Sequence, residues 1–179
     1  MQTAEIDLRF PIGRFQAPAT ITAATRAEWI ETLAAAPAKY RAAVAKLTDE
    51  QLDTPYRPGG WTIRQVIHHV PDSHMNAYVR FRLALTEDTP TIKPYAEALW
   101  AELSDAKSSP AALSLDLLEA LHTRWVVLLS AMTPEQFQRK FNHPEGGVGT
   151  LERTLGIYAW HCDHHLAHID RLCERMGWR

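Results

Sequence analysis

The nine histidines of this chain and their spacing are the first clue to its chemistry. Two end the run Gly59-Gly60-Trp61-Thr62-Ile63-Arg64-Gln65-Val66-Ile67-His68-His69, and four fall in Trp160-His161-Cys162-Asp163-His164-His165-Leu166-Ala167-His168. Residues four apart on a helix point the same way, one turn up the axis. His161 and His165 therefore form a pair, and a histidine from the other segment would complete a three-nitrogen site. Neutral imidazole is the commonest metal-ligating side chain, and three such ligands suit a catalytic metal with open positions rather than a closed structural one. A divalent ion held this way keeps its charge. It can bring the pKa of a water toward neutrality and polarise a carbonyl, so hydrolysis is the simplest chemistry to expect. Zn2+ is the first expectation, one per chain. Ni2+, Co2+ or Mn2+ suit the same ligands, because affinity order does not choose among them.

The elements that must position these rings are helical. Leu151, Leu155, Tyr158, Cys162, His165, Ile169, Leu172 and Met176 alternate steps of four and three, an unbroken inward seam on a helix beginning near Thr150. His165 lies on the seam and His161 beside it. His168 flanks it, and His164 is expected further round, toward solvent or a partner. An earlier helix follows the capping box Thr62-Ile63-Arg64-Gln65, with Pro71 inside it as an expected distortion. Two further helices are read over about 22–47, interrupted by Pro37, and about 111–132, with a short one near 96–103. Residues 1–20 lack helical periodicity and read as an extended arm. The Gly-rich stretch Asn142–Gly149 reads as a loop, and no useful strand-like alternation appears.

A weak internal repeat organises these pieces. Leu47-Thr48-Asp49-Glu50-Gln51-Leu52 resembles Met132-Thr133-Pro134-Glu135-Gln136-Phe137, and each leads through a glycine pair into a histidine-bearing helix. Two helix–turn–helix halves packed together give an all-α four-helix bundle, an architecture whose core commonly holds metals. The expectation is one domain over residues 1–179.

A lone histidine on a half-apolar helix is more often a packed or surface residue than a ligand. Here the seam position of His165 and the matching place of the second segment weigh the other way, since an imidazole among apolar side chains needs partners for its nitrogens. The third ligand is open on periodicity. On an ideal helix His74 lies nearest the apolar face of Val66, Val70 and Phe81, while His69 lies well round from it and His68 on the far side. Pro71 makes the wheel unreliable nearby. Asp72 and His74 are candidates to orient a ligand or handle protons, with structural hydrogen bonding as the alternative. Cys162 reads as a small core residue, Asp163 as surface, and Glu152 and Asp170 as solvated. Trp61, Trp100, Trp125 and Trp160 read as core or pocket lining, and His143 has no assigned role.

Composition narrows the class. A net charge of −2 gives no basic footprint for nucleic acid or an acidic membrane surface. No apolar run approaches a membrane span, and the first ten residues are polar with no secretory core, so a cytoplasmic location is expected. Cys162 and Cys173, on one predicted helix, stand about 16 Å apart along its axis and cannot bridge each other.

The chain resembles the YfiT-like metal-dependent hydrolases of the DinB/YfiT superfamily of four-helix bundles. The resemblance rests on Pro11-Ile12-Gly13, Leu52-Asp53-Thr54-Pro55-Tyr56-Arg57, Gly59-Gly60-Trp61-Thr62, Arg64-Gln65-Val66, His68-His69, Asp72-Ser73-His74-Met75-Asn76, Trp160-His161, His164-His165, Ala167-His168-Ile169 and Arg175-Met176-Gly177-Trp178. It covers nearly the whole chain. It implies His69, His161 and His165 as the ligands, in place of the wheel's preference for His74. It further implies a hydrolase of small-molecule substrates and a homodimer. Some members of the wider superfamily are implied to be thiol-dependent S-transferases using bacillithiol or mycothiol, and a non-catalytic metal-binding bundle is a third reading.

Overall fold

The computed structural model describes residues 7–178. Four long helices, α1 (Ala23–Val44), α3 (Ile63–Thr86), α6 (Ala111–Ala131) and α8 (Leu151–Met176), form a four-helix bundle. Short helices α2 (Asp49–Leu52), α4 (Glu97–Trp100), α5 (Ser104–Ser108) and α7 (Pro134–Phe137) punctuate the connections. α1 and α3 each pack against both α6 and α8, so the halves of the repeat interlock. α3 and α8, which carry His69 and the His161–His165 pair, are thereby neighbours.

The local signals hold where a side chain can cap a helix. Thr22, Thr48, Thr62 and Thr133 each close a capping box, and Thr150 accepts from the Arg153 N–H to start α8. Gly177, in the left-handed region at φ 66°, ends α8. Pro37 and Pro71 are both buried inside continuous helices rather than breaking them, because tertiary packing holds the turns around them.

Three expectations need correction. The Gly-rich stretch is not a plain loop: β1 (Lys140–His143) and β2 (Gly147–Thr150) pair antiparallel, with Phe141 opposite Gly149. The strands are too short to show an alternating pattern. Glu152 is not solvated; it pairs with Arg26 at 3.3 Å with its side chain 14% exposed. His164 does not face solvent but is buried.

The arm explains the last point. It is described from Asp7 onward; residues 1–6 lie outside the described residues. It lies along α8, with the Phe10 ring 5.9 Å from His164 and Phe15 against Trp29. Gly156 makes that approach possible, since a Cβ there would stand 2.7 Å from the Trp29 ring and 2.9 Å from Phe15.

Candidate metal centre

The start of α3 is buried all round. Every residue from Ile63 to Pro71 is buried, because α5, α6 and α8 surround this part of the helix. Several polar side chains here are fixed in place. The Arg64 guanidinium reaches Asp53 at 2.6 Å, Asp49 at 2.8 Å and the Ser109 carbonyl at 3.1 Å, tying α2 and the start of α6 to α3. The Gln65 amide donates to the Ala101 carbonyl at 2.7 Å. His68 lies 2.7 Å from the Ser114 hydroxyl and 3.1 Å from the Ser109 carbonyl, so both its nitrogens are engaged in holding α3 to α6.

His69, one residue on, projects instead toward α8. Its Nε2 stands 3.4 Å from Nε2 of His161, which in turn stands 3.1 Å from Nε2 of His165. Ligands about 2.0–2.1 Å from a tetrahedral zinc would be spaced about 3.3–3.4 Å apart, so the observed separations fit a common first-row ion. Trp61 packs on the His69 ring at 4.7 Å. Burial lowers the His69 pKa to about 4 and holds those of His161 and His165 well below the ordinary imidazole value. All three rings are therefore neutral at pH 7, the form that binds metal.

His74 is inward, as its wheel position indicates, and fully buried. It lies behind the trio, with its Nε2 3.1 Å from Nδ1 of His161, the nitrogen turned away from the cluster. Nδ1 of His74 meets Nε2 of His122 at 2.9 Å, and Nδ1 of His122 lies 2.7 Å from the Leu33 carbonyl. A parallel arrangement backs His165. Its Nδ1 is 3.4 Å from Nδ1 of His168, whose Nε2 is 3.3 Å from the Arg9 carbonyl of the arm, and the Tyr56 ring stacks on His168 at 4.0 Å.

Two other groups have metal-ligand types within reach of one another: His74 with His122 and Cys162, and His164 with His165 and His168. In the first, both histidines are occupied by hydrogen bonds, and burial pushes the Cys162 thiol up, away from thiolate. Asp72 is not part of the cluster. It is half-buried, and its carboxyl is raised to about 6 by burial and, secondarily, by Asp105.

The cluster opens into a cleft of about 380 Å³ lined by Trp61, Ser73, Arg80, Tyr95, Glu97, His143 and Glu145 as well as the three rings. Arg80 has a buried Nε without a hydrogen-bond acceptor, and its Nη1 lies 3.5 Å from the Tyr158 hydroxyl. Tyr95 shares a hydrogen bond with Ser73, and burial pushes its phenol up to about 12, so it is a donor at neutral pH. His143 accepts the Glu145 and Gly146 N–H groups on Nδ1, both at 3.2 Å, in the hairpin turn. Sequence reasoning missed Arg80, Tyr95 and Glu145 and left His143 without a role. They come from segments without helical periodicity or from a late turn of α3. The hydrogen bonds that bring the hairpin back against the 86–92 segment, Ile92 N–H to the Asn142 carbonyl and Asn142 N–H to the Pro90 carbonyl, leave no trace in local spacing.

Comparison with known proteins agrees with this architecture. A family model described as the DinB superfamily matches residues 32–169. A Bacillus subtilis protein named "Putative metal-dependent hydrolase YfiT" is 51% identical over 97% of this chain and 98% of its own length. A Bacillus mycoides protein with the same functional name is 52% identical over 96% of this chain and 99% of its own. A solved structure described as "YfiT from Bacillus subtilis is a probable metal-dependent hydrolase with an unusual four-helix bundle topology" superimposes with TM-score 0.95, at 51% identity, covering 97% of this chain and 100% of that one. A second four-helix bundle protein, TT2238, shares the fold at TM-score 0.55 and 19% identity.

Proposed function

The chain belongs to the DinB superfamily, and from that premise we propose that it is a metal-dependent hydrolase of a small molecule, with a divalent ion held by His69, His161 and His165. One observation carries the reading: three neutral imidazoles lining a cleft bring ligand nitrogens within 4.8 Å of one another, with Nε2 of His161 3.4 Å from that of His69 and 3.1 Å from that of His165. Zn2+ is the ion we assign, since it takes three nitrogen ligands and leaves a position open. When bound there, it would supply Lewis acidity, lowering the pKa of a water and polarising a carbonyl.

The chain's own residues do the rest. Trp61 shields one side of His69 from water. Tyr95 stays protonated and is placed to donate a hydrogen bond to a substrate oxygen. Arg80 brings positive charge to the cleft and suits a negatively charged substrate group. No described helix is long and apolar enough to cross a membrane. The reading includes a cytoplasmic homodimer. For the dimer the support is a stripe on α6, where Leu113 and Leu117 are exposed and Leu121 and Leu128 half-buried.

The test is turnover of an ester and amide panel, some members carrying carboxylates, by chelator-stripped protein before and after addition of zinc. Hydrolysis that returns with the ion supports the reading. Turnover of an electrophile that appears only when a low-molecular-weight thiol is added would replace hydrolysis with thiol transfer.

A further inference from the structure

We propose that the two metal-facing histidines of α8 are held in one tautomer from a distance, by two main-chain carbonyls acting through three further histidines. The proposal rests on the ligand reading above for His161 and His165, and it assigns His122, His74 and His168 as positioning residues.

The direction of each hydrogen bond follows from its far end. A carbonyl oxygen only accepts, so Nδ1 of His122, 2.7 Å from the Leu33 carbonyl, carries a proton. A neutral imidazole has one N–H, which leaves Nε2 of His122 bare to accept from Nδ1–H of His74 at 2.9 Å. His74 then has a bare Nε2, which accepts from Nδ1–H of His161 at 3.1 Å. Nε2 of His161 is left with its lone pair, and it is this atom that faces His69 and His165.

The second chain runs by the same logic from the arm. Nε2 of His168 donates to the Arg9 carbonyl at 3.3 Å, so its Nδ1 is bare and accepts from Nδ1–H of His165 at 3.4 Å. Nε2 of His165 is again unprotonated, so its 3.1 Å approach to Nε2 of His161 sets two lone pairs side by side for an ion rather than making a hydrogen bond. Among the described hydrogen bonds His69 has no such chain behind it. A metal-bound histidine is often oriented by a carboxylate. Here every link is neutral, so the full charge of a bound ion is retained. The Leu33 carbonyl lies on α1 and the Arg9 carbonyl in the arm, so the ring states on α8 depend on segments far away in sequence.

The measurement is a long-range proton–nitrogen NMR correlation spectrum of nitrogen-labelled, metal-free full-length protein, which reads the protonated nitrogen of each ring. His122, His74, His161 and His165 are expected as Nδ1–H and His168 as Nε2–H. Protonation of His161 or His165 at Nε2 overturns the proposal. In His122→Leu, His74 loses its acceptor, and His161 should move toward Nε2–H. Zinc affinity, read by competition with a chromophoric chelator, should weaken about 10- to 100-fold. His122→Gln, whose amide oxygen can accept from His74, should restore both readouts. A folded His122→Leu protein with wild-type His161 tautomer and zinc affinity would sink the relay. If that variant does not fold, the wild-type spectrum decides. Metal content of His69→Ala tests the ligand reading separately, since ligation at His69 can fail while the ring states hold.

Discussion

Each histidine of the trio owes its role to which nitrogen it turns to the cleft. His161→Ala should abolish stoichiometric metal binding, as should His165→Ala and His69→Ala, while circular dichroism stays helical, because the core rests on Leu33, Phe81, Trp125 and Leu155 rather than on the rings. Arg80→Met should raise KM for a carboxylate-bearing ester about tenfold while sparing its neutral counterpart; equal effects on the two would remove Arg80 from recognition. Asp72 gives a prediction of stability. Its folded pKa of about 6 exceeds the ordinary 3.8, mainly through burial, so the folded protein holds this proton longer than the unfolded chain does. Its contribution to stability is therefore present at low pH and lost as pH rises through that window. Asp72→Asn should raise the Tm by about 2 °C at pH 7.5 and leave it unchanged below about pH 4.

At the scale of elements, the site depends on how closely the arm and α1 approach α8. Gly156 permits that approach, and Gly156→Leu should destabilise the protein by about 1–3 kcal/mol or more through overpacking against Trp29 and Phe15. The same change should make the arm cleavable by protease; resistance equal to wild type would show that the arm docks by other contacts. Much at this scale was legible in the sequence. The seam of α8 is buried as its spacing indicates from Leu151 to Leu172 and fails at Met176, which is exposed in the last turn, and the capping box read at Thr62-Ile63-Arg64-Gln65 starts α3. The failures have physical causes. A helical wheel assumes one buried face, but the first half of α3 is enclosed on all sides, so both His69 and His74 are inward and periodicity alone does not separate them. The arm carries no period that reveals its landing place, so the burial of His164 and His168 beneath it was not readable. Resemblance to known sequences, rather than spacing, singled out His69.

Across the whole molecule, a cluster of neutral buried histidines ties stability to pH. Burial lowers His69, His122, His164 and His168 to about 4 against an ordinary 6.5, and holds His74, His161 and His165 well below that ordinary value. With folded pKa values below unfolded ones, the unfolded chain takes up protons first as pH falls. The stability of the metal-free protein is therefore full above about pH 7 and lost progressively toward pH 4, with several protons linked to unfolding. Denaturant titrations at pH 7.5, 6 and 5 should show a steadily falling midpoint; a flat profile would mean that these rings are not held neutral.

The most direct test of the account is metal content by elemental mass spectrometry on untagged protein, wild type beside His69→Ala, His161→Ala and His165→Ala. The account predicts about one divalent ion per wild-type chain and its loss from each variant. Full metal content in all three variants, or none in the wild type even after reconstitution, would contradict it.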